Sequence, residues 1–171
     1  MEAGSYAFRT ELGWVAISSS MNGLCRLSLP QQTYEEAYRA LDKKGLPDIP
    51  LPSALSDVVD RLLRYFKGYK VSFPDELDLS DATDFQRRVW EVTRRIPYGE
   101  TRSYTWVAEH AGNLKAVRAV GQALGANPLP IVIPCHRVLK RDGGLGGYTG
   151  GLELKRYLLW LEASAFMRDR T

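Results

Sequence analysis

A chain of 171 residues, 44% of them hydrophobic and with a net charge of +3, is long enough to bury a core and has the composition of an ordinary globular protein. No apolar run approaches the roughly 20 residues that span a bilayer, and Met1-Glu2-Ala3-Gly4-Ser5 lacks the basic and apolar regions of a signal peptide. The expectation is therefore a cytoplasmic protein, or a nuclear one in a eukaryote, with no membrane partner; two cysteines and two histidines exclude a disulfide framework and argue against a structural metal.

The chain opens with strand signals. Ser5–Arg9 and Trp14–Ser20 read as strands joined around Leu12-Gly13, and Met21-Asn22-Gly23 is a tight-turn signal before an alternating third strand, Leu24–Leu29. Pro30 ends this meander, and Thr33-Tyr34-Glu35-Glu36 is a capping box for a short helix to about Leu41. Leu46-Pro47-Asp48-Ile49-Pro50-Leu51-Pro52 is a connector. From Ser53 to Lys67, the residues Leu55, Val58, Val59, Leu62, Leu63 and Phe66 fall on one helical stripe, closed by a cap at Gly68, and this helix should cover the sheet. The acidic stretch ending in Asp75-Glu76-Leu77-Asp78-Leu79 reads as an extended linker, which places a domain boundary at residue 80 and gives domains 1–80 and 81–171.

Thr83-Asp84-Phe85-Gln86 is a second capping box, opening a helix to about Arg95 with Phe85, Val89, Val92 and Ile96 inward. Ser103 can cap a helix from Tyr104 to Ala111, Gly112-Asn113 makes a turn, and Lys115–Leu124 resumes as helix. Two short helices around a glycine turn have the sequence appearance of a helix-turn-helix, in which Lys115–Leu124 is the recognition helix, with small residues and Arg118 as its one long central cation. A helical hairpin with a tight Ala/Gly crossing is the other reading. The charge is uneven: residues 1–80 sum to −2 and residues 81–171 to +5. A basic half fits a polyanionic partner, although such a balance is also common on plain surfaces.

The apolar run Ile131-Val132-Ile133-Pro134 delivers Cys135 beside His136, followed by Arg137-Val138. A thiol attacks as thiolate, and a neighbouring imidazole or cation lowers its pKa. Adjacency is not contact, because successive side chains on a strand point to opposite faces. Cooperation requires the backbone to leave the extended conformation at Pro134, or a water to bridge the two groups. The other reading is a buried cysteine that packs as a small hydrophobe. Residues 143–151 are a glycine-rich loop that matches neither the phosphate-loop nor the dinucleotide pattern. The last helix, Leu152 to Glu162, turns Leu154, Tyr157, Leu158 and Leu161 inward; Glu162, at the stripe's edge, is either a solvated end charge or a carboxylate turned in to orient His136.

Asn127-Pro128-Leu129-Pro130-Ile131-Val132-Ile133-Pro134-Cys135-His136-Arg137-Val138, followed by Tyr148-Thr149-Gly150-Gly151-Leu152, resembles the O6-alkylguanine-DNA alkyltransferases, or methylated-DNA–protein-cysteine methyltransferases. The resemblance runs from about Phe85 to Glu162 and is looser before it. It implies an α+β protein with a small ribonuclease H-like sheet-plus-helix domain, followed by a mostly helical, winged helix-turn-helix-like DNA-binding and active-site domain. It implies DNA repair by irreversible transfer of an alkyl group from a flipped O6-alkylguanine to Cys135, by a monomer that needs no cofactor. It assigns His136 as the base acting through a water, Glu162 as the carboxylate that orients it, Asn127 as a hinge-stabilising side chain and Tyr104 as proton donor to the leaving guanine. Arg118 would fill the gap left in the duplex, and Ala116, Ala119 and Gly121 would line the face lying in the minor groove. The base would be held by Cys135, Val138 and Thr149, with Tyr148 as a wall and Arg137 among the DNA contacts.

Some members carry zinc in the first domain; with no histidine before His110 and only Cys25 there, no metal is expected. The chain ends nine residues after Glu162, so no longer tail function is expected. Cysteine, where the non-transferring alkyltransferase-like proteins have tryptophan, favours a working acceptor. A turnover cysteine hydrolase and a non-catalytic DNA-damage sensor or regulator remain as alternatives.

Overall fold

The protein, examined as a computed structural model that describes residues 3–41 and 50–168, is α+β and divides into two compact units, Met1–Ser80 and Asp81–Thr171. No helix among the described residues is long and apolar enough to cross a membrane.

In the first unit, β1 (Gly4–Thr10), β2 (Gly13–Ser20) and β3 (Gly23–Leu27) form an antiparallel meander. Thr10 pairs with Gly13, so the first hairpin turns on Glu11-Leu12, one residue earlier than the glycine suggested. The third strand stops at Leu27 rather than Leu29, beyond a register shift at Ser18/Ser19. The 33–36 capping box forms and opens α1 (Tyr34–Arg39). Trp14 meets Tyr34 edge-on at 5.5 Å over the small buried cluster of Ala7, Ala16, Ala37 and Leu41.

Helix α2 (Ser53–Phe66) buries Leu55, Val58, Val59, Leu62, Tyr65 and Phe66. Leu63, expected inward, is only half-buried, because the 3.6-residue period carries the stripe from Leu62 to Tyr65 and Phe66. Gly68 follows the helix at φ 85°. Leu46 to Ile49 of the expected connector lie outside the described residues.

The expected linker before residue 80 is tied to the sheet. Leu77 bridges Leu24, with Leu24 N–H donating to Glu76 O at 2.9 Å and Asp78 N–H to Leu24 O at 2.8 Å. Gly23 permits the approach: at φ 149° a Cβ there would stand 2.5 Å from Glu76 O.

The second unit begins with the 83–86 capping box and α3 (Asp84–Arg94). Phe85 stays half-exposed, and Trp90 is buried in its stead, its indole N–H donating to Ala123 O at 2.8 Å. That bond ties α3 to the second helix of the helix-turn-helix. Ser103 caps α4 (Tyr104–His110), and Gly112 turns at φ 91°. The predicted continuous helix from Lys115 is instead a 3₁₀ turn, Leu114–Ala116, leading into α5 (Val117–Gly125), with Asn113 accepting from Lys115 N–H. The two-residue strands β4 (Arg102–Ser103) and β5 (Val138–Leu139) pair in parallel and fix the chain on either side of the helix pair. Helix α6 (Leu152–Arg168) runs past the expected end at Glu162. Its buried residues include Lys155, Leu158, Leu161, Glu162 and Ala165, while Leu154 and Tyr157 are half-buried.

Candidate active site

Pro134 (φ −80°, ψ 64°) takes the backbone out of the extended conformation, and Cys135–Arg137 form one 3₁₀ turn before β5. Ile131, upstream, is held at φ 74°, a conformation rare for a β-branched residue. The turn separates the roles of adjacent side chains. Cys135 is 8% exposed, while His136 is fully buried behind it.

Asn127 organises the segment from the end of α5. Its amide nitrogen donates to Ile133 O at 2.8 Å and to Cys135 Sγ at 3.1 Å, and its carbonyl accepts from Leu129 N–H at 2.9 Å. Behind the thiol, His136 Nε2 lies 2.6 Å from Glu162 Oε1. The same carboxylate accepts from Arg137 Nε and Nη2, each at 2.9 Å, and from Gly99 N–H at 3.1 Å. An ionised carboxylate can only accept, so the His136 proton sits on Nε2 and the basic lone pair on Nδ1.

In front of the thiol is a cavity of about 570 Å³. Cys135, Tyr104, Tyr148, Thr149 and Arg118 line it, together with Lys140 and four glycines, at 121, 125, 146 and 147. One wall therefore comes from the two helices of the helix-turn-helix and the other from the glycine-rich loop. A nucleophile backed by an imidazole–carboxylate pair, facing a cavity walled by a helix-turn-helix, is suited to covalent chemistry on a nucleic-acid component.

Comparison with known proteins agrees. A family profile described as the DNA-binding domain of 6-O-methylguanine DNA methyltransferase matches residues 84–164. The Mycobacterium tuberculosis protein named methylated-DNA–protein-cysteine methyltransferase is 44% identical over 160 residues, covering 94% of this chain and 92% of the relative. The chain belongs to the methylated-DNA–protein-cysteine methyltransferase family. The constitutive Bacillus subtilis enzyme of that name is 39% identical over 92% of this chain and 93% of its own. The crystal structure of the M. tuberculosis relative in complex with DNA superposes with a TM-score of 0.80 at 41% identity, covering 95% of this chain and 94% of that one.

The electrostatics of this methyltransferase define its resting state. Burial pushes the Cys135 thiol up, against the Asn127 hydrogen bond and the Lys155 charge, so the sulfur rests protonated. Burial also lowers His136 more than Glu162 raises it, leaving a neutral imidazole. Burial alone would raise Glu162, but its bonds to His136 and Arg137 outweigh that and bring it to about 2. Tyr104 is raised by burial and by the proximity of Cys135, against a hydrogen bond from the Gly147 backbone, so it keeps its proton at neutral pH. Burial likewise raises Tyr148 well above the ordinary tyrosine value.

Arg137 requires a correction. It was expected among the DNA contacts, but it is 7% exposed, its guanidinium bonded to Glu162 and to Ile96 O at 2.7 Å and stacked 5.6 Å from the Tyr98 ring. These donors are spent inside the protein, so Arg137 belongs to the support behind His136. Val138 is also fully buried. Arg118 is exposed, and Ala116, Ala119 and Gly121 are half-exposed along the 3₁₀ turn and α5. Thr149 Oγ1 donates to Gly125 O at 3.3 Å, linking the loop to the end of α5.

Lys155 is the group that sequence reasoning missed. Fully buried on α6, its ammonium donates to Val138 O at 2.7 Å, to Gly147 O at 3.2 Å and to Leu145 O. It thus fastens the glycine-rich loop to β5, 5.8 Å from the Tyr104 ring. Burial lowers its pKa to about 8, against the pull of Cys135. The available signal was a lysine standing between two positions of an apolar stripe, Leu154 and Leu158.

Gly146 gives the site a sharp steric test. At φ 69°, a Cβ on it would stand 2.5 Å from the Tyr104 hydroxyl. Gly146→Ala therefore displaces Tyr104 in addition to the roughly 1 kcal/mol cost of a side chain in the left-handed region. The expected result is a loss of about tenfold or more in the rate of Cys135 alkylation, with the fold retained by circular dichroism.

Proposed function

We propose that this protein repairs DNA by drawing O6-alkylguanine out of the duplex and transferring its alkyl group, once and irreversibly, to Cys135. The observation that carries this reading is the placement of Cys135 at a cavity walled by the helix-turn-helix, with the His136–Glu162 pair directly behind. A stacked base cannot bring its O6-alkyl carbon to a sulfur that is 8% exposed, so the nucleotide must flip.

In the step itself the sulfur attacks the alkyl carbon, the carbon–O6 bond breaks, and its electron pair leaves on guanine. The thiol proton passes to His136 through a water, Glu162 stabilises the imidazolium that forms, and Tyr104 gives its proton to the leaving guanine. Return of a proton from His136 to Tyr104 through solvent leaves alkyl-Cys135 and free guanine-DNA. The Asn127 N–H at the sulfur and the Lys155 charge favour the thiolate as it develops. A thioether is not hydrolysed as a thioester is, so the protein is consumed.

Arg118 occupies the duplex gap, and the small face of Ala116, Ala119 and Gly121 lies in the minor groove. Backbone groups of Cys135, Val138 and Thr149 hold the base against Tyr148. Asn127 is a positioning residue. A monomer without a cofactor suffices for this step, because every group named lies within residues 81–171 of one chain, and its place of action is the cytoplasm.

The deciding experiment incubates the protein with duplex DNA containing O6-methylguanine and follows the peptide that holds Cys135 by mass spectrometry. One added methyl per molecule is expected. An unmodified Cys135 under conditions of demonstrated duplex binding would refute transfer, and repeated turnover of a small acyl substrate would indicate a hydrolase. Replacing Arg118 by alanine should slow transfer from duplex by about ten- to a hundredfold, since unstacking costs a few kcal/mol, and should slow transfer from free O6-benzylguanine far less. Comparable losses on both substrates would remove Arg118 from the flipping step.

A further inference from the structure

Two cations line the Cys135 cavity on exposed positions, Arg118 from α5 and Lys140 from the turn after β5. The first belongs to the flipping mechanism. The second has been given no role. We propose that Lys140 binds the backbone phosphate beside the flipped nucleotide and so positions the base over Cys135; this rests on the transfer function argued above.

The turn fixes the backbone of this residue. Lys140 N–H donates to Gly144 O at 2.8 Å, and Gly143, at φ 85°, returns a bond from its N–H to Lys140 O at 3.0 Å. A Cβ on Gly144 would meet Asp142 Oδ1 at 3.0 Å and Lys140 Cδ at 3.3 Å, so the absence of a side chain there leaves room for both the aspartate and the lysine stem along the turn. Just upstream, Leu139 of β5 is paired with Ser103 of β4, directly before Tyr104. The base of the lysine is thus fixed to the same backbone that carries the proton donor.

The ammonium itself is available. Among the described residues, Lys140 Nζ has no ion pair or side-chain hydrogen bond. The carboxylate of the turn, Asp142, accepts from Gly144 N–H at 2.9 Å. Lys155 makes a useful contrast: its charge is enclosed and bonded to three carbonyls, whereas that of Lys140 is exposed at the cavity.

The geometry of extrusion selects the ligand. A flipped nucleotide remains joined to its strand through two phosphates. When its base reaches the buried sulfur, those phosphates stay at the cavity mouth, on the rim where Lys140 is exposed. Lysine is a point-charge binder of phosphate, with no need for the bidentate geometry that arginine uses to read a base edge. A neutral guanine ring offers such a cation much less.

The test compares the full chain with Lys140→Ala and Lys140→Arg on two substrates, duplex DNA containing O6-methylguanine and the free base O6-benzylguanine, which has no phosphates. In the alanine variant the rate of Cys135 alkylation from duplex should fall about tenfold more than the rate from free base, and arginine should restore most of it. The slope of log binding constant against log salt, measured on the duplex in a Cys135→Ala background, should become shallower by about 0.9, the signature of one lost phosphate contact. Equal losses on the two substrates, or an unchanged salt slope, overturn the proposal. If wild type binds the duplex without alkylating Cys135, the transfer function fails instead, and the salt slope still decides the phosphate contact.

Discussion

Cys135→Ala is expected to abolish alkyl transfer to background while changing duplex affinity by no more than about threefold. The sulfur is the only heavy atom removed, and among the described residues the side chain that bonds it is Asn127. Deleting it costs about 1 kcal/mol of stability, whereas no second thiol is among the residues lining the cavity. Cys135→Ser should be equally inactive, because a hydroxyl is a far weaker nucleophile in surroundings that already hold the more acidic thiol in its protonated form. That raised thiol makes a second statement about wild type. Transfer should be independent of pH through neutrality, since the thiol proton passes to a His136 that is already neutral, and should fall on acidification once His136 takes up a proton of its own. A rate that climbs about tenfold per pH unit between 6 and 9 would show that the sulfur loses its proton to solvent before attack, and would remove His136 as the base.

The largest effect on stability is expected at Glu162. One carboxylate serves His136, Arg137 and Gly99, and Glu162→Gln leaves the Arg137 guanidinium buried without its counter-charge. Breaking a buried pair from one side costs about 3–5 kcal/mol, which lowers Tm by roughly 10 °C. Adding Arg137→Met should recover part of the loss, because the stranded charge is then gone. The acid limb of the stability curve provides an independent check. Glu162 is held near 2 against an ordinary 4.5, so its contribution is complete above about pH 4.5 and is lost as pH falls towards 2. His136, lowered from 6.5, adds a loss in the same direction, beginning as the unfolded chain takes up protons below about pH 6.5. In the Glu162→Gln variant the lower of these two windows should disappear from the pH dependence of unfolding, and its persistence would mean that another acid carries it.

What could be read from sequence divides along physical lines. The capping boxes at Thr33 and Thr83 and the 3.6-residue stripe of α2 are local devices, and they stand where the chain alone indicated. Leu63 and Tyr65 show how that device must be read: at 100° per residue the period turns Tyr65 into the stripe and leaves Leu63 outside it, so position and not apolar residue type decides which is buried. The β4–β5 pairing joins two dipeptides far apart in sequence, too short for any alternation to register. At the site, Cys135, His136 and Glu162 were legible because their chemistry needs those residue types, and Glu162 turns inward instead of ending the helix in solvent. Arg137 and Lys155 were not legible. A sequence shows their charge, while the partners that allow a charge to be buried, a shared carboxylate in one case and three carbonyls in the other, exist only after folding.

Four lining residues of the cavity have no side chain, and this shapes what variation can do there. A Cβ on Gly121, Gly125 or Gly147 meets nothing within 4 Å, so alanine fits at each without a collision. Such changes can only take up room. Nothing smaller than glycine exists to enlarge the chamber at these positions, so the glycines already present are the most permissive set, and substitution here can only narrow the range of groups the chamber admits.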